Sequence, residues 1–97
     1  MPTYITLLNW TQKGAENIKQ SPTRLDAAKK AFEAAGGRMT QFYLVMGRYD
    51  MVAISEAPDD ETAAKMTLSI AGSGAVKSET LRAFGETDYR KIIAALP

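Results

Sequence analysis

The chain has 97 residues, 45% of them apolar, which suits a single compact domain with a core of its own. Its net charge of +1 comes from interleaved acids and bases without a long run of either sign, which argues against nucleic-acid binding. Cysteine and histidine are both absent. Their absence excludes thiolate nucleophiles, disulfides, Cys/His zinc sites, histidine bases and histidine-ligated haem.

The apolar and turn-forming residues predict four strands and three main helices. In chain order we expect a strand Thr3–Trp10, a helical turn Gly14–Lys19, a helix from Ser21 to Gly36-Gly37, strands Met39–Met46 and Met51–Ala57, a helix Asp59–Ala71, a strand Val76–Phe84 and a helix Thr87–Leu96. This order, βαββαβ with a C-terminal helix, is typical of the α+β ferredoxin-like fold, with a four-stranded antiparallel sheet and two helices on one face. Residues 1–97 are predicted to form one domain.

Polar residues mark the predicted helix starts. Ser21 before Pro22 and Thr87 before the last helix are expected to be N-caps. The densest acidic cluster, Asp59 to Glu61, follows Pro58 and is expected to serve a helix start rather than a metal. No metal site and no cofactor are predicted.

The amino terminus lacks a basic segment followed by an apolar core and a cleavage site, so export is not expected. No apolar stretch approaches the roughly 20 residues that span a bilayer. We therefore expect a cytoplasmic protein without membrane contact.

Strand alternation divides the predicted sheet into two faces. The set assigned to the side covered by the helices is aliphatic and aromatic: Ile5, Leu7, Phe42, Leu44, Met46, Val52, Ile54 and Leu81. The opposite set mixes apolar and polar side chains: Tyr4, Thr6, Leu8, Trp10, Gln41, Tyr43, Val45, Met51, Ala53, Ser55, Ser78, Thr80, Arg82 and Phe84. In the helices, Leu25, Ala28, Phe32 and Ala35 are expected to face inward, as are Ala64, Leu68 and Ala71.

The mixed face is the candidate binding surface, because its polar members need partners once buried and its apolar members need cover. A partly apolar cavity between two packed sheets would meet both needs. The predicted ligand-binding residues are Trp10, Gln41, Tyr43, Thr80 and Arg82. Arg82 suits a carboxylate or phosphate, although an intersubunit salt bridge or stacking on Trp10 or Tyr43 is the favoured alternative. Trp10 could equally anchor a dimer.

The turn Gly47-Arg48-Tyr49-Asp50 invites an acid–base interpretation of Tyr49 and Asp50. A structural role is favoured, because a turn aspartate commonly accepts from backbone N–H groups and Gly47 supplies a positive φ or a close approach.

With these residues the chain resembles the GYD domain family, named for the Gly-x-Tyr-Asp turn present here as Gly47, Tyr49 and Asp50. The similarity extends along nearly the whole chain. It includes Trp10-Thr11 with Gly14, Ser21-Pro22-Thr23-Arg24, Gly36-Gly37, Phe42-Tyr43, Glu56-Ala57-Pro58-Asp59-Asp60 and Thr80-Leu81-Arg82-Ala83-Phe84. The resemblance implies a dimeric α/β barrel, in which two ferredoxin-like sheets pack face to face. It implies no catalytic residues, because the family has no established activity.

Three functions are consistent with these expectations. The first is a homo-oligomeric module, assembled through the open sheet face, that binds a small anionic or aromatic ligand or regulates another protein. The second is a cofactor-free oxygenase, cyclase or isomerase with Tyr43 as acid or base and Arg82 stabilising an oxyanion. The third is a purely structural oligomerisation module.

Overall fold

The computed structural model describes residues 1–97 and has the predicted element order. The elements are β1 (Thr3–Trp10), α1 (Gln12–Glu16), a 3-10 turn (Ile18–Gln20), α2 (Ser21–Ala34), β2 (Arg38–Leu44), β3 (Met51–Glu56), α3 (Asp60–Ala71), β4 (Val76–Ala83) and α4 (Glu86–Ala94). The strands form one antiparallel sheet in the order β2-β3-β1-β4, and α2 and α3 pack against it. The predicted α+β ferredoxin-like fold is confirmed.

The start of α3 is the helix start that the sequence predicts best. The Asp59 carboxylate accepts a hydrogen bond from the Thr62 N–H at 2.8 Å, and this bond lowers the pKa of Asp59. The other two predicted caps are wrong. Ser21 already has helical dihedrals, and Gly85, not Thr87, precedes α4.

The two faces of β1, β3 and β4 are the reverse of the prediction. The buried residues beneath the helices include Tyr4, Leu8, Met51, Ala53 and Ser55. Ile5, Leu7, Val52, Ile54 and Leu81 therefore point away from the helices, because neighbours along a strand alternate in direction. The sequence predicts the opposite, with the first group on the open side of the sheet and the second group beneath the helices.

The centre of the covered face carries small side chains. The helices carry alanines toward the sheet at positions such as Ala28, Ala31 and Ala63. Ala53 and Ser55 in the centre of the sheet lie on the same side, whereas the branched aliphatic residues Val52 and Ile54 lie on the other face. A prediction based on apolarity alone assigns the larger aliphatic residues to the side beneath the helices.

Strand β2 keeps the predicted parity near its centre, where Phe42 packs against the core and Gln41 and Tyr43 point away. A bulge between Met39 and Gln41 shifts the register by one residue. The strand ends at Leu44, before the predicted end at Met46, whose side chain is 98% exposed.

The prediction for the inner side of α2 is confirmed, since Leu25, Ala28, Phe32 and Ala35 are half-buried or buried. The prediction for α3 is wrong. Ala63, Thr67 and Ile70 face the sheet, whereas Leu68 is exposed together with Ala64 and Ala71.

Gly14 explains part of the Trp10-Thr11 motif. A Cβ on Gly14 would lie 2.0 Å from the carbonyl oxygen of Ala75. The N–H of Thr11 donates a hydrogen bond to the same Ala75 carbonyl oxygen at 3.0 Å. The glycine thus lets α1 approach the start of β4.

Helix α4 differs from the other helices in that none of its residues is buried or half-buried. All nine of its residues are exposed. The molecule measures 52 × 31 × 18 Å, and its radius of gyration of 14.6 Å exceeds the about 12.5 Å typical of a compact chain of this length. None of the helices has the length and apolar content needed to cross a membrane. The cytoplasmic location stays a prediction.

Candidate functional site

The sheet has one face that no helix covers, and we call it the open face. Its residues follow from the strand register: Thr3, Ile5, Leu7 and Asn9 on β1; Gln41 and Tyr43 on β2; Val52, Ile54 and Glu56 on β3; Lys77, Glu79, Leu81 and Ala83 on β4.

Aliphatic side chains form the centre of the open face. Ile5 pairs with Ile54 on one side and with Leu81 on the other, and Leu7 pairs with Val52. Four of the five are only half-buried, and Leu81 is 44% exposed. This continuous apolar patch runs across β3, β1 and β4, and such an exposed patch is typical of a surface that packs against another protein.

Polar groups border the patch on both edge strands. Gln41 and the half-exposed Tyr43 lie on β2. On β4, Glu79 accepts a hydrogen bond at 3.0 Å from the hydroxyl of Tyr49, which comes from the turn before β3. A polar rim around an apolar centre matches the anatomy of protein interfaces.

The five predicted ligand-binding residues do not lie together. Gln41 and Tyr43 are on the open face, whereas Trp10, Thr80 and Arg82 are on the side that carries the helices. Trp10 donates its indole N–H to Ser21 Oγ at 3.3 Å. Binding of an anionic or aromatic ligand between packed open faces stays a prediction for Gln41 and Tyr43.

Thr80 and Arg82 belong to a polar cluster between β4 and α3. The Thr80 hydroxyl lies 3.3 Å from the hydroxyls of Thr6 and Thr67. The Arg82 guanidinium stacks 4.5 Å from the Phe84 ring centre, and its Nε lies 3.6 Å from Asp60 Oδ1. These partners differ from the favoured alternative, because the ion pair lies within one chain and the stacking ring is Phe84 rather than Trp10 or Tyr43.

Tyr4 is the buried member of this cluster. Its hydroxyl donates to Asp60 Oδ1 at 2.5 Å. Burial, followed by the hydrogen bond to Asp60, raises the pKa of Tyr4 to about 12. Tyr4 is therefore protonated at neutral pH and is a weaker acid than an exposed tyrosine.

The enzyme hypothesis paired Tyr43 with Arg82. These residues lie on opposite edge strands and on opposite faces of the sheet. Three strand spacings separate the edges by about 14 Å. One subunit therefore cannot bring both groups to the same small substrate.

The Gly47 to Asp50 turn makes backbone and side-chain contacts across the sheet. Gly47 has a φ of 141°, which favours glycine. Asp50 donates its N–H to the Leu8 carbonyl at 2.9 Å, and its Oδ2 accepts from the Trp10 N–H at 3.0 Å. The carboxylate thus extends the β1–β3 ladder by one hydrogen bond.

An exposed apolar stripe runs along α4 and is a feature that the sequence-based predictions do not include. Tyr89, Ile92 and Ile93 of α4, and Leu96 just beyond its end, follow helical spacing and are all exposed in the structure. Their i, i+3, i+4, i+7 pattern was readable from the sequence. A nine-residue helix is marginal on its own, so this stripe calls for a packing partner.

Comparison with known proteins finds the GYD domain model over residues 4–93. A protein of Thermus thermophilus, named glutamine synthetase and cystathionine beta-lyase binding protein, is 38% identical over 89 residues. The aligned part covers 91% of this chain and 94% of that protein.

Solved structures with the same fold are also similar. TTHA0845 from Thermus thermophilus has a TM-score of 0.57 at 25% identity, with 88% of this chain and 95% of that chain covered. MtbAldR has a TM-score of 0.68 at 12% identity, covering 88% and 54%. FFRP-DM1 has a TM-score of 0.62 at 15% identity, covering 87% and 100%. The last two show similarity of fold alone.

Proposed function

Because the chain belongs to the GYD domain family, as the match over residues 4–93 shows, we propose that it is a homo-oligomeric binding module. Two copies pair through the open face, and the assembly binds and regulates an enzyme. The observation that carries the proposal is the uncovered aliphatic patch of Ile5, Leu7, Val52, Ile54 and Leu81.

The strength of pairing can be estimated from this patch. Completing the burial of one half-exposed aliphatic side chain contributes about 1 kcal/mol, so five from each copy contribute about 10 kcal/mol. Association costs about 4 to 15 kcal/mol in lost freedom. The patch alone is therefore borderline, and a stable pair needs more contact.

Helix α4 supplies the further contact in this proposal. The stripe formed by Tyr89, Ile92 and Ile93 of α4 and by Leu96 just beyond it is exposed. The helix follows two residues after β4, an edge strand of the sheet. Packing α4 against the second copy stabilises the helix and enlarges the interface at once.

The enzyme-binding part of the proposal rests on the Thermus relative, whose name states that it binds glutamine synthetase and cystathionine beta-lyase. The identity of 38% along almost the full length of both chains supports a related role here. The exposed helical surfaces of α2 and α3 stay available in a pair formed through the open face.

Interferometry with the immobilised protein tests enzyme binding. The analytes are glutamine synthetase and cystathionine beta-lyase from the organism that encodes this chain, with an unrelated enzyme as control. We expect saturable binding of at least one of the two. Dissociation constants weaker than about 100 μM for both would contradict enzyme binding by this module.

A further inference from the structure

A cavity of about 280 Å³ lies on the other side of the sheet, between the covered face and the helices α2 and α3. Its floor includes Leu8, Met51 and Ala53, and its roof includes Ala28 and Phe32 of α2. It is separate from the open face and is formed by one chain.

Small side chains create the space. Ala53 and Ser55 occupy the centre of the sheet, and Ala28 and Ala31 lie opposite them on α2. Protein interiors normally contain few voids larger than a water molecule. Only 10 of the 97 residues are buried, and no large side chain is completely enclosed, so the core leaves this volume unfilled.

The wall restricts the chemistry of an occupant. Of the 21 residues around the cavity, 13 are hydrophobic, and no carboxylate is among them. Arg24 is the one charged residue, and its guanidinium already donates to the carbonyls of Asn17 and Gly14 at 3.2 and 3.5 Å. A charged occupant would lose its hydration without gaining a partner.

Hydroxyl groups give the wall a limited hydrogen-bonding capacity. Ser55 lies in the floor and is only 3% exposed, and Thr6 lies near it on the neighbouring strand. The Thr6 hydroxyl already lies within hydrogen-bonding distance of Thr80. Ser55 is the only buried residue among those that carry hydroxyls around the cavity, so its hydroxyl is the group best placed to bind a polar atom of an enclosed occupant.

The cavity has a route to solvent. Its wall includes Ala27 of α2 and Ser69 of α3, and both are exposed. The mouth therefore lies between the two helices, and entry does not require the sheet to open.

We propose that this cavity binds a compact, uncharged and mostly apolar small molecule that carries one hydrogen-bonding group. An apolar cavity of about 150 Å³ holds benzene, so 280 Å³ suits an occupant of about ten non-hydrogen atoms. The polar group of the occupant bonds Ser55, and its apolar body contacts Leu8, Met51 and Phe32.

Trp10 provides a built-in reporter for this site. It is the sole tryptophan, it packs against the cluster of Leu8, Met51 and Ala53, and its indole N–H bonds Ser21. These partners all line the cavity, so its filling changes the surroundings of the indole.

Titration with cyclohexylmethanol, followed by Trp10 fluorescence and methyl NMR shifts, tests the proposal. Cyclohexanecarboxylate is the matched charged control. We expect a saturable response to the alcohol, about tenfold weaker binding of the carboxylate, and weaker binding of the alcohol by Ser55→Ala.

Cavity-filling variants test whether the fluorescence and NMR response comes from this cavity. Ala28→Leu adds bulk to the roof, whereas Ala34→Leu makes the same change on the exposed side of α2. Ala28→Leu should abolish the response and Ala34→Leu should keep it. Ala31→Val is the substitute if Ala28→Leu does not fold. No saturable response, or an equal response in a folded cavity-filled variant, would overturn the proposal.

Discussion

The residues of the Gly47 to Asp50 turn make hydrogen bonds that join it to β1 and β4. Gly47 adopts the positive φ, Tyr49 bonds Glu79 across the open face, and Asp50 bonds the backbone of β1. A structural role for this turn was expected from the sequence, but its partners were not. They come from β1 and β4, which are distant in the sequence.

Replacing Asp50 tests the extension of the ladder. Asp50→Ala leaves the Trp10 N–H without its side-chain acceptor and should lower the free energy of unfolding by about 1.5 to 3 kcal/mol. Asp50→Asn keeps an acceptor oxygen and should cost less. Urea unfolding of both variants measures the difference, and equal losses in the two would count against this role for the carboxylate.

The raised pKa of Tyr4 predicts that the free energy of unfolding depends on pH. Its folded pKa of about 12 lies above the ordinary value of 10.0, so the unfolded state loses the proton first as the pH rises. The contribution of Tyr4 is complete below pH 10 and declines between about pH 10 and 12.

Chemical unfolding of wild type and Tyr4→Phe at several pH values measures this contribution. The phenylalanine variant should lack that part of the alkaline loss. Tyr43→Phe, at an exposed position, should keep it. An identical alkaline loss in wild type and Tyr4→Phe would mean that Tyr4 does not titrate as described.

At the scale of elements, the sequence predicts the order of strands and helices but not which face the helices cover. The Asp59 cap and the glycine-rich helix ends are local signals, and they hold. Both faces of the sheet carry apolar residues, so ranking by apolarity assigns the faces wrongly. Leu68 on α3 was placed inward for the same reason and is exposed. Small residues facing Ala-rich helices are the better guide.

The split of the predicted site follows from this error. Trp10, Thr80 and Arg82 lie on the strands whose faces are reversed, whereas Gln41 and Tyr43 lie on β2, which keeps its predicted parity. No local pattern shows this difference, because it depends on how β2 pairs with β3.

The exposed stripe of α4 leads to a prediction about self-association. Ile92→Lys places a charge in the exposed stripe and should weaken self-association by about tenfold or more, because one aliphatic side chain per copy loses its burial. Ala94→Lys lies off the stripe and is the control. Sedimentation equilibrium measures both, and equal association constants would exclude α4 from the interface.

The whole molecule is a thin two-layer domain with one apolar face and one helix left without cover. These two features explain its length of 52 Å and its small number of buried residues. The face-to-face pairing of two copies proposed above would cover both features. The cavity lies on the other side of the sheet, so ligand binding and assembly are separately measurable.

Size-exclusion chromatography with light scattering tests the central claim, that the open face joins two copies, most directly. Ile5 lies at the centre of that face, between Ile54 and Leu81, so Ile5→Asp should convert the oligomer to a folded monomer. Lys29→Asp on the exposed side of α2 should leave the assembly intact. A wild-type protein that is monomeric at micromolar concentration, or an Ile5→Asp variant that assembles like wild type, would contradict the claim.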